Sequence, residues 1–516
     1  MTSIAQTSMI EHGRRRWWVL LITCVPLFMM MLDVTIVTIA LPHIMNAFNT
    51  GVSSVEWVLN AYILAFAVLL ITLGKMGDLY GRKLLFLGGL GLFTISSLAC
   101  GLAPNITVLI VARVFQAVGG AAMMPATLSI LNVAFGDRRG MALGIWGAVA
   151  GVASAMGPII GGALVDAYSW RWIFLINLPV GVLAFIAAII IIRESRDPST
   201  ERRIDIPGIL AISAALFCLT YALVEGQKYG WSSALIVGLF SASFAGFVAF
   251  LILERIISAP LIRLELFRNR TFSAGNSVGL ILMFGLLSIL FLLVLFMQLV
   301  LGYSAIKAGL VLLPLPGVVM IAAPLSGRLS DRIGSRWLLF FGMAFTALGI
   351  YLMSHLTATE PWQHLMAPLA VSGLGMGLVM APTTSAVMAS APMERSGQAA
   401  GILATMRQVG SVLGISVIGA ILQSQLVSNL REALLPIPQI PPVLREHILS
   451  AVSSGRLGLT GIPNIPGPLG AQLTALFRQE FANSLNTAML ISVYICIAGA
   501  LVALLVRSHV SNQKTA

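Results

Sequence analysis

Residues 17–42 read WWVLLITCVPLFMMMLDVTIVTIALP. The run is long enough to cross a bilayer as a helix and is apolar except near its middle, where Asp33 stands. An Asp at the centre of a membrane helix costs about 2.5–3.5 kcal/mol. A carboxylate at that depth faces the protein interior or a water-filled cavity and holds a partner or a proton. Asp33 therefore reads as a proton- or cation-handling residue. An Asp nearer the interface, merely capping a helix, is the plainer alternative.

The rest of the chain repeats this kind of run. Fourteen apolar stretches of spanning length follow one another through the 516 residues, from 17–41 to 485–507. Apolar residues make up 58% of the chain and charged residues 10%, against about 25% charge in a soluble domain. Mean hydropathy is +0.95. The expected fold class is an all-α polytopic membrane protein with both termini on one side. The net charge of +12 does not mark a nucleic-acid face. Its Lys and Arg residues gather at the N-terminus and after even-numbered spans, as in Arg14 to Arg16, Lys75/Arg82/Lys83, Arg255/Arg263/Arg268/Arg270 and Arg328/Arg332/Arg336. The short loops on the other side hold only Arg171, Lys228 and Lys307. That asymmetry puts the termini in the cytoplasm and the chain in the cytoplasmic membrane. Cys24, Cys100, Cys218 and Cys496 all fall in apolar segments, without metal-ligand spacing or a disulfide framework. No metal site is expected.

The chain also repeats internally. GKMGDLYGRK at 74–83 matches GRLSDRIGSR at 327–336, and Pro125 has a counterpart in Pro382. Two pseudo-symmetric six-helix halves with two inserted helices account for offsets of 253 to 257 positions. The halves are residues 1–200 and 259–516, with the insert at 201–258. Such parallel repeats are a transporter signature, with the substrate site at their interface. Residues 427–484 read as one long external loop, Pro-rich with short amphipathic pieces, serving as a cap, a gate or a docking surface for a partner.

Several stretches carry candidate chemistry. In 74–83, Gly74, Gly77 and Gly81 permit a tight turn between helix ends. Asp78 and Arg82 can pair across the bundle, with Lys83 beside them and Asp331 and Arg332 in the repeat. Such a cluster can lock one face and release it when the helices rock. In the fourth span Arg113, Gln116 and Gly120 share one helix face. Arg113 and Arg407 are the two intramembrane arginines. Asp33 is the only acidic residue expected near mid-membrane, so it pairs with Arg113, directly or through water. In the fifth span Gly157, Pro158, Gly161 and Gly162 provide a kink and a flat packing face. Gln116, Met123, Gln298 and Arg407 are candidates for the substrate cavity. Glu225, near the outer end of the seventh span, reads as interfacial.

Together these residues resemble a known family. GKMGDLYGRK is similar to motif A of the major facilitator superfamily, and Arg113 with Gln116, Gly119 and Gly120 to motif B. GPIIGG at 157–162 resembles motif C, the antiporter motif of drug exporters. LDVTIVTIALP at 32–42 resembles motif D1 of the fourteen-span drug/proton antiporters of the EmrB/QacA type. The resemblance implies the major facilitator fold and proton-coupled efflux by alternating access. Asp33 and Arg113 would carry the proton, the motif A residues would gate, and protons would serve as coupling ion with no other cofactor. Leu79 replaces a frequent Arg of motif A, which thins that charge network. Spans 10 and 13 lack the carboxylates of relatives that export divalent cations, so the expected substrates are lipophilic and neutral or monocationic. A dedicated exporter of one metabolite, lipid or siderophore would share every motif. An enzyme is not expected: there is no GxxxxGK[ST] loop, no HExxH and no loop cluster of His, Cys and acids.

Overall fold

In a computed structural model, the chain is described at residues 2–135, 139–195, 205–257, 260, 262–392, 396–437, 440–453 and 467–507. Fourteen helices among these residues are long and apolar enough to cross a membrane. The N-terminal bundle contains α1 (Thr2–Ala47), α2 (Val52–Tyr80), α3 (Arg82–Gly101), α4 (Ile106–Phe135) and α5 (Arg139–Ala167). Its sixth span is a short α6 (Trp172–Leu175) running into α7 (Asn177–Ile191). The inserted pair is α8 (Ile206–Tyr229) and α9 (Ala234–Ile256). The C-terminal bundle contains α10 (Arg270–Leu295), α11 (Ala305–Leu312), α12 (Pro314–Ile333), α13 (Ser335–Met353), α14 (Gln363–Ala389) and α15 (Ser396–Leu434). It closes with α16 (Pro442–Ser453) and α17 (Gly467–Ala503). Pro314 splits the tenth span into α11 and α12, since it has no N–H to continue a helix.

Small residues, not large ones, bring the helices together, as expected where lipid is as apolar as leucine. A Cβ on Gly119 of α4 would lie 2.6 Å from the Phe93 nitrogen and 2.7 Å from the Gly89 oxygen of α3. The other half repeats the contact: a Cβ on Gly375 of α14 would lie 2.5 Å from the Gly342 oxygen of α13. The turn between α2 and α3 needs Gly81 at φ +131°, and its repeat between α12 and α13 needs Gly334 at φ +82°. The internal repeat is thus a repeat of backbone conformation and close approach.

The three cations in short loops away from the termini all have local partners. Arg171 donates to the carbonyls of Gly101 and Ala103 at the end of α3 (3.2 and 2.9 Å). Lys228 pairs with Glu225 at 3.4 Å, and Lys307 lies 3.7 Å from the Tyr303 ring centroid.

One expectation is corrected. Residues 427–484 are not mainly loop. α15 continues to Leu434, α16 occupies Pro442–Ser453 and the last membrane helix begins at Gly467. Leu434, Ile440, Ile448 and Leu473 form a small apolar core outside the bundle. Asn429 donates to Ser484 (3.1 Å) and Gln423 to the Ser453 carbonyl (2.8 Å), tying the pieces together. Pro442 opens α16 and Pro468 stands in the first turn of the last helix, where a missing N–H costs nothing.

Candidate functional site

Asp33 is 1% exposed and Arg113 fully buried. They form a direct ion pair between Arg113 Nη1 and Asp33 Oδ2. Gln116 closes the unit: its Nε2 donates to Asp33 Oδ1 (3.0 Å) and its Oε1 accepts from Arg113 Nη1 (2.8 Å). Arg113 and Gln116 reach the same carboxylate because they stand three residues apart on α4. Arg113 Nε donates to the Val58 carbonyl of α2 (3.3 Å), and its guanidinium stacks 4.1 Å from the centroid of Tyr62. Behind Gln116, Ser97 donates to the Phe174 carbonyl (2.9 Å) and accepts from Asn177 Nδ2 (3.1 Å). α1, α2, α3, α4, α6 and α7 all contribute to this one network. Arg113 Nη2 and the Tyr62 hydroxyl have no partner, so the network has spare donors for a rearranged state. Ser97, Tyr62 and Asn177 carry no sequence signal of this role; only tertiary packing brings them here.

The glycines of 157–162 connect this pair to the other half of the molecule. A Cβ on Gly157 would lie 2.8 Å from Thr35 Cβ, and one on Gly161 would lie 2.6 Å from Ile36 Cγ1. Both partners follow Asp33 on α1. The far side of α5 meets α11. A Cβ on Gly162 would lie 2.6 Å from the Ile306 nitrogen, and one on Gly309 would lie 2.6 Å from the Pro158 carbonyl carbon. At the end of α5, the two Asp166 carboxylate oxygens accept from the Ala305 and Ile306 nitrogens (3.1 and 2.8 Å), capping α11. Asp166, which the sequence reading passed over, thus joins the bundles. Gln298 does so too, donating to the Ile39 carbonyl of α1 (2.9 Å) from a π-helical turn at Phe296–Val300.

At the end bearing the termini, Gly74 lets α2 approach Pro125 of α4, where a Cβ would lie 3.2 Å from Pro125 Cβ. Glu194 is the unexpected member. Its carboxylate accepts from the backbone nitrogens of Lys83 (3.0 Å), Leu84 (3.1 Å) and Ser195 (3.0 Å), and fills the space a Cβ on Gly81 would need. Lys83 Nζ donates to the Ile189 carbonyl (2.6 Å), and Arg82 N to the Ser195 carbonyl (3.0 Å). The turn is therefore held by the end of α7. Arg332 is exposed. The side chains of Asp78 and Asp331 lie outside the described residues.

Two of the four cavity expectations fail. Met123 is fully buried: it stands one turn from Gly119 and packs into the α3–α4 contact, 3.0 Å from a Cβ on Gly89. Gln116 is also fully buried, spent on the Asp33 pair. Arg407 and Gln298 keep partial exposure.

A second acid is buried nearer the end of its span, away from mid-membrane. Glu56 on α2 is 3% exposed. It presses on α15, where a Cβ on Gly419 would lie 2.9 Å from its carboxyl carbon. One turn on, fully buried Asn60 donates to Ser416 of α15 (2.9 Å). Glu225 of α8 lies close enough for the two carboxylate charges to interact. α2 thus offers Val58 and Tyr62 to the Arg113 pair on one face and Glu56 and Asn60 to α15 on the other. Glu56→Gln should raise stability by an amount on the order of 1 kcal/mol, read as a higher thermal midpoint, because the amide fills the same space without a buried carboxyl that has no cation partner. A clear fall in midpoint would mean that the carboxylate holds this junction together.

Residues 23–415 match the family model described as Major Facilitator Superfamily. The chain is 34% identical over 516 residues to the tetracenomycin C resistance and export protein of Streptomyces glaucescens, covering 99% of this chain and 96% of that one. It is 34% identical over 485 residues to the multidrug resistance protein Stp of Mycobacterium tuberculosis, covering 93% and 90%. Among solved structures, a bacterial homologue of the human lysosomal transporter Spinster, inward-facing and unoccupied, superposes with a TM-score of 0.65 at 18% identity. That match covers 95% of this chain and 97% of the other.

Proposed function

The chain belongs to the major facilitator superfamily, and from that premise we propose that it is a proton-coupled antiporter. In this reading it exports lipophilic, neutral or singly charged compounds across the cytoplasmic membrane by alternating access, with both termini in the cytoplasm. It is a multi-pass membrane transporter and not an enzyme. The resistance and export named for the Streptomyces relative supports the outward direction, and the cationic rim at the terminal end supports the orientation.

The observation that carries the proposal is the buried Asp33–Arg113–Gln116 unit, one helical turn from the α1–α5 glycine contacts. With Asp33 ionised, the unit is neutral and closed. A proton on Asp33 removes the charge that holds Arg113. The guanidinium can then turn towards the Tyr62 hydroxyl and the Val58 carbonyl, both already beside it. α1 is freed to shift, and Thr35 and Ile36 pass the shift through Gly157 and Gly161 to α5. α5 in turn carries it through Gly162 and Asp166 to α11 in the other half. Protons enter down their gradient with about 2.3 kcal/mol per charge per 100 mV, plus the pH difference.

Everted vesicles from cells making the protein should accumulate lipophilic dyes when respiration energises them. A protonophore should abolish that accumulation. Uptake that survives the protonophore and needs only ATP overturns the reading. A competition panel in the same vesicles separates a broad exporter from one dedicated to a single metabolite.

A further inference from the structure

The two intramembrane arginines have opposite circumstances. Arg113 is wrapped by a carboxylate, an amide, a carbonyl and an aromatic face. Arg407 has neither a carboxylate nor an aromatic face beside it, only neutral acceptors. It stands on α15 about 16 Å along the helix axis from Ser396, near the middle of a bilayer. Its Nη2 donates to the Met380 carbonyl and to Thr384 Oγ1 of α14, both at 3.1 Å. Nε is buried without a partner. Among the described residues no carboxylate pairs with it. A guanidinium cannot shed its proton, so this cation stays charged at a depth where charges are paired or wet.

The surroundings leave room for a counter-group. α10 packs Gly279 against Nε, where a Cβ would lie 3.7 Å away, so Nε is covered on that side and the open side is that of Nη1, which has no partner. Thr384 is exposed, and Met380 and Arg407 are half-buried. The two bonds to α14 fix the guanidinium plane and leave its other donors directed elsewhere. In the N-terminal half the opposite holds: Asp33 has both oxygens occupied and is not available to a cation. Of the two intramembrane arginines, Arg407 is therefore the one left with an unpaired charge.

We propose that Arg407 is the substrate-recognition cation of the transporter, and that its substrates are lipophilic organic anions bearing a carboxylate or phenolate. The proposal rests on the export reading and sharpens it, replacing the monocationic compounds expected from the sequence. The anionic group takes the Nη1 donors in a charge-assisted pair, and the apolar body lies against the Met-containing wall of α14. Thr384 and the Met380 carbonyl are positioning groups that hold the guanidinium ready.

The test uses the full chain in nanodiscs of phosphatidylcholine alone, so that no anionic lipid headgroup can occupy the site. Three fluorescent probes share one body: pyrenebutyrate, its neutral amide and the matching trimethylammonium cation. Wild type should bind the carboxylate about tenfold tighter than the amide, and the cation most weakly. Arg407→Gln should remove the preference, Arg407→Lys should keep most of it, and Arg407→Glu should reverse it towards the cation. Asp33→Asn should leave the order unchanged. Arg407→Gln should melt no lower than wild type, because it removes a cation that nothing balances. Equal binding of the three probes, no binding, preference for the cation, or a preference that survives Arg407→Gln overturns the proposal. In a second arm, adding phosphatidylglycerol should leave the carboxylate affinity unchanged; competition by that lipid assigns the site to a headgroup and overturns the proposal. Failure of the export reading would register elsewhere, as protonophore-insensitive uptake with the binding order intact.

Discussion

Asp33→Asn should lower protonophore-sensitive efflux by at least ~100-fold while substrate binding persists. Asparagine keeps the shape and turns a donor towards Arg113 where a negative oxygen stood. Arg113, fully buried, then has no counter-charge. Breaking a buried pair by removing one partner costs about 3–5 kcal/mol, so the variant should also melt lower. The double variant Asp33→Asn/Arg113→Gln separates the two effects. It removes both charges and keeps a chain of amides, so stability should largely return while proton-driven transport stays lost. Efflux in Asp33→Asn that keeps half its wild-type rate and its protonophore sensitivity would sink the coupling role. A double variant as unstable as the single would show instead that the pair's charge is not what the stability depends on.

Gly309→Leu should abolish transport in a protein that still folds. Gly309 and Pro158 meet backbone to backbone across the α5–α11 seam, as do Gly162 and Ile306. No rotamer can relieve a clash with a carbonyl carbon 2.6 Å from the Cβ position. The seam lies between bundles, so the halves can separate there without either unfolding. Spin labels on α5 and α11 should report a longer distance and a narrower response to added substrate, with efflux down about 100-fold. Gly119→Leu makes the informative contrast. Its clash is with Phe93 and Gly89 inside one bundle, so it should cost assembly of the N-terminal half and reduce the amount of protein in the membrane. Normal efflux and an unchanged distance in Gly309→Leu would show that the seam yields without consequence.

Much of this architecture can be read from the residues. The fourteen spans follow from hydropathy, because a bilayer demands long apolar helices whatever their packing. The two-fold repeat follows from glycine positions, because Gly81 and Gly334 must both adopt φ values that other residues resist. The Asp33–Arg113 pair followed from scarcity: few charges stand at that depth, and opposite ones find each other. What escaped was decided by neighbours distant in sequence. Glu56 stands one turn inside α2, where hydropathy marks an interface, and it is buried only because α8 and α15 cover it. Glu194 sits beside Arg193 in what reads as a cationic rim, yet it holds the turn before α3. Met123 was placed in a cavity by its type, but it lies on the face that Gly119 commits to α3. The helices within 427–484 were hidden because prolines near 436–442 and 463–468 look like loop at either border. The apolar contacts of Leu434, Ile448 and Leu473 cross between segments and leave no local pattern.

α15 runs unbroken from Ser396 to Leu434 and ends in a small domain clamped by Asn429–Ser484 and Gln423–Ser453. Arg407 and the Gly419 contact with Glu56 lie on the same rod. The rod is therefore a mechanical pointer, with its pivot in the membrane and its tip in the aqueous phase. A tilt set by an occupant at Arg407 is magnified with distance along it, at about 1.5 Å of arm per residue. Leu435 and Val443, 63% and 66% exposed, stand at that tip. Three of the four native cysteines are buried, so a dye attached to a new cysteine at either site has little competition. Labelled this way, the molecule becomes an optical sensor that reads each turnover.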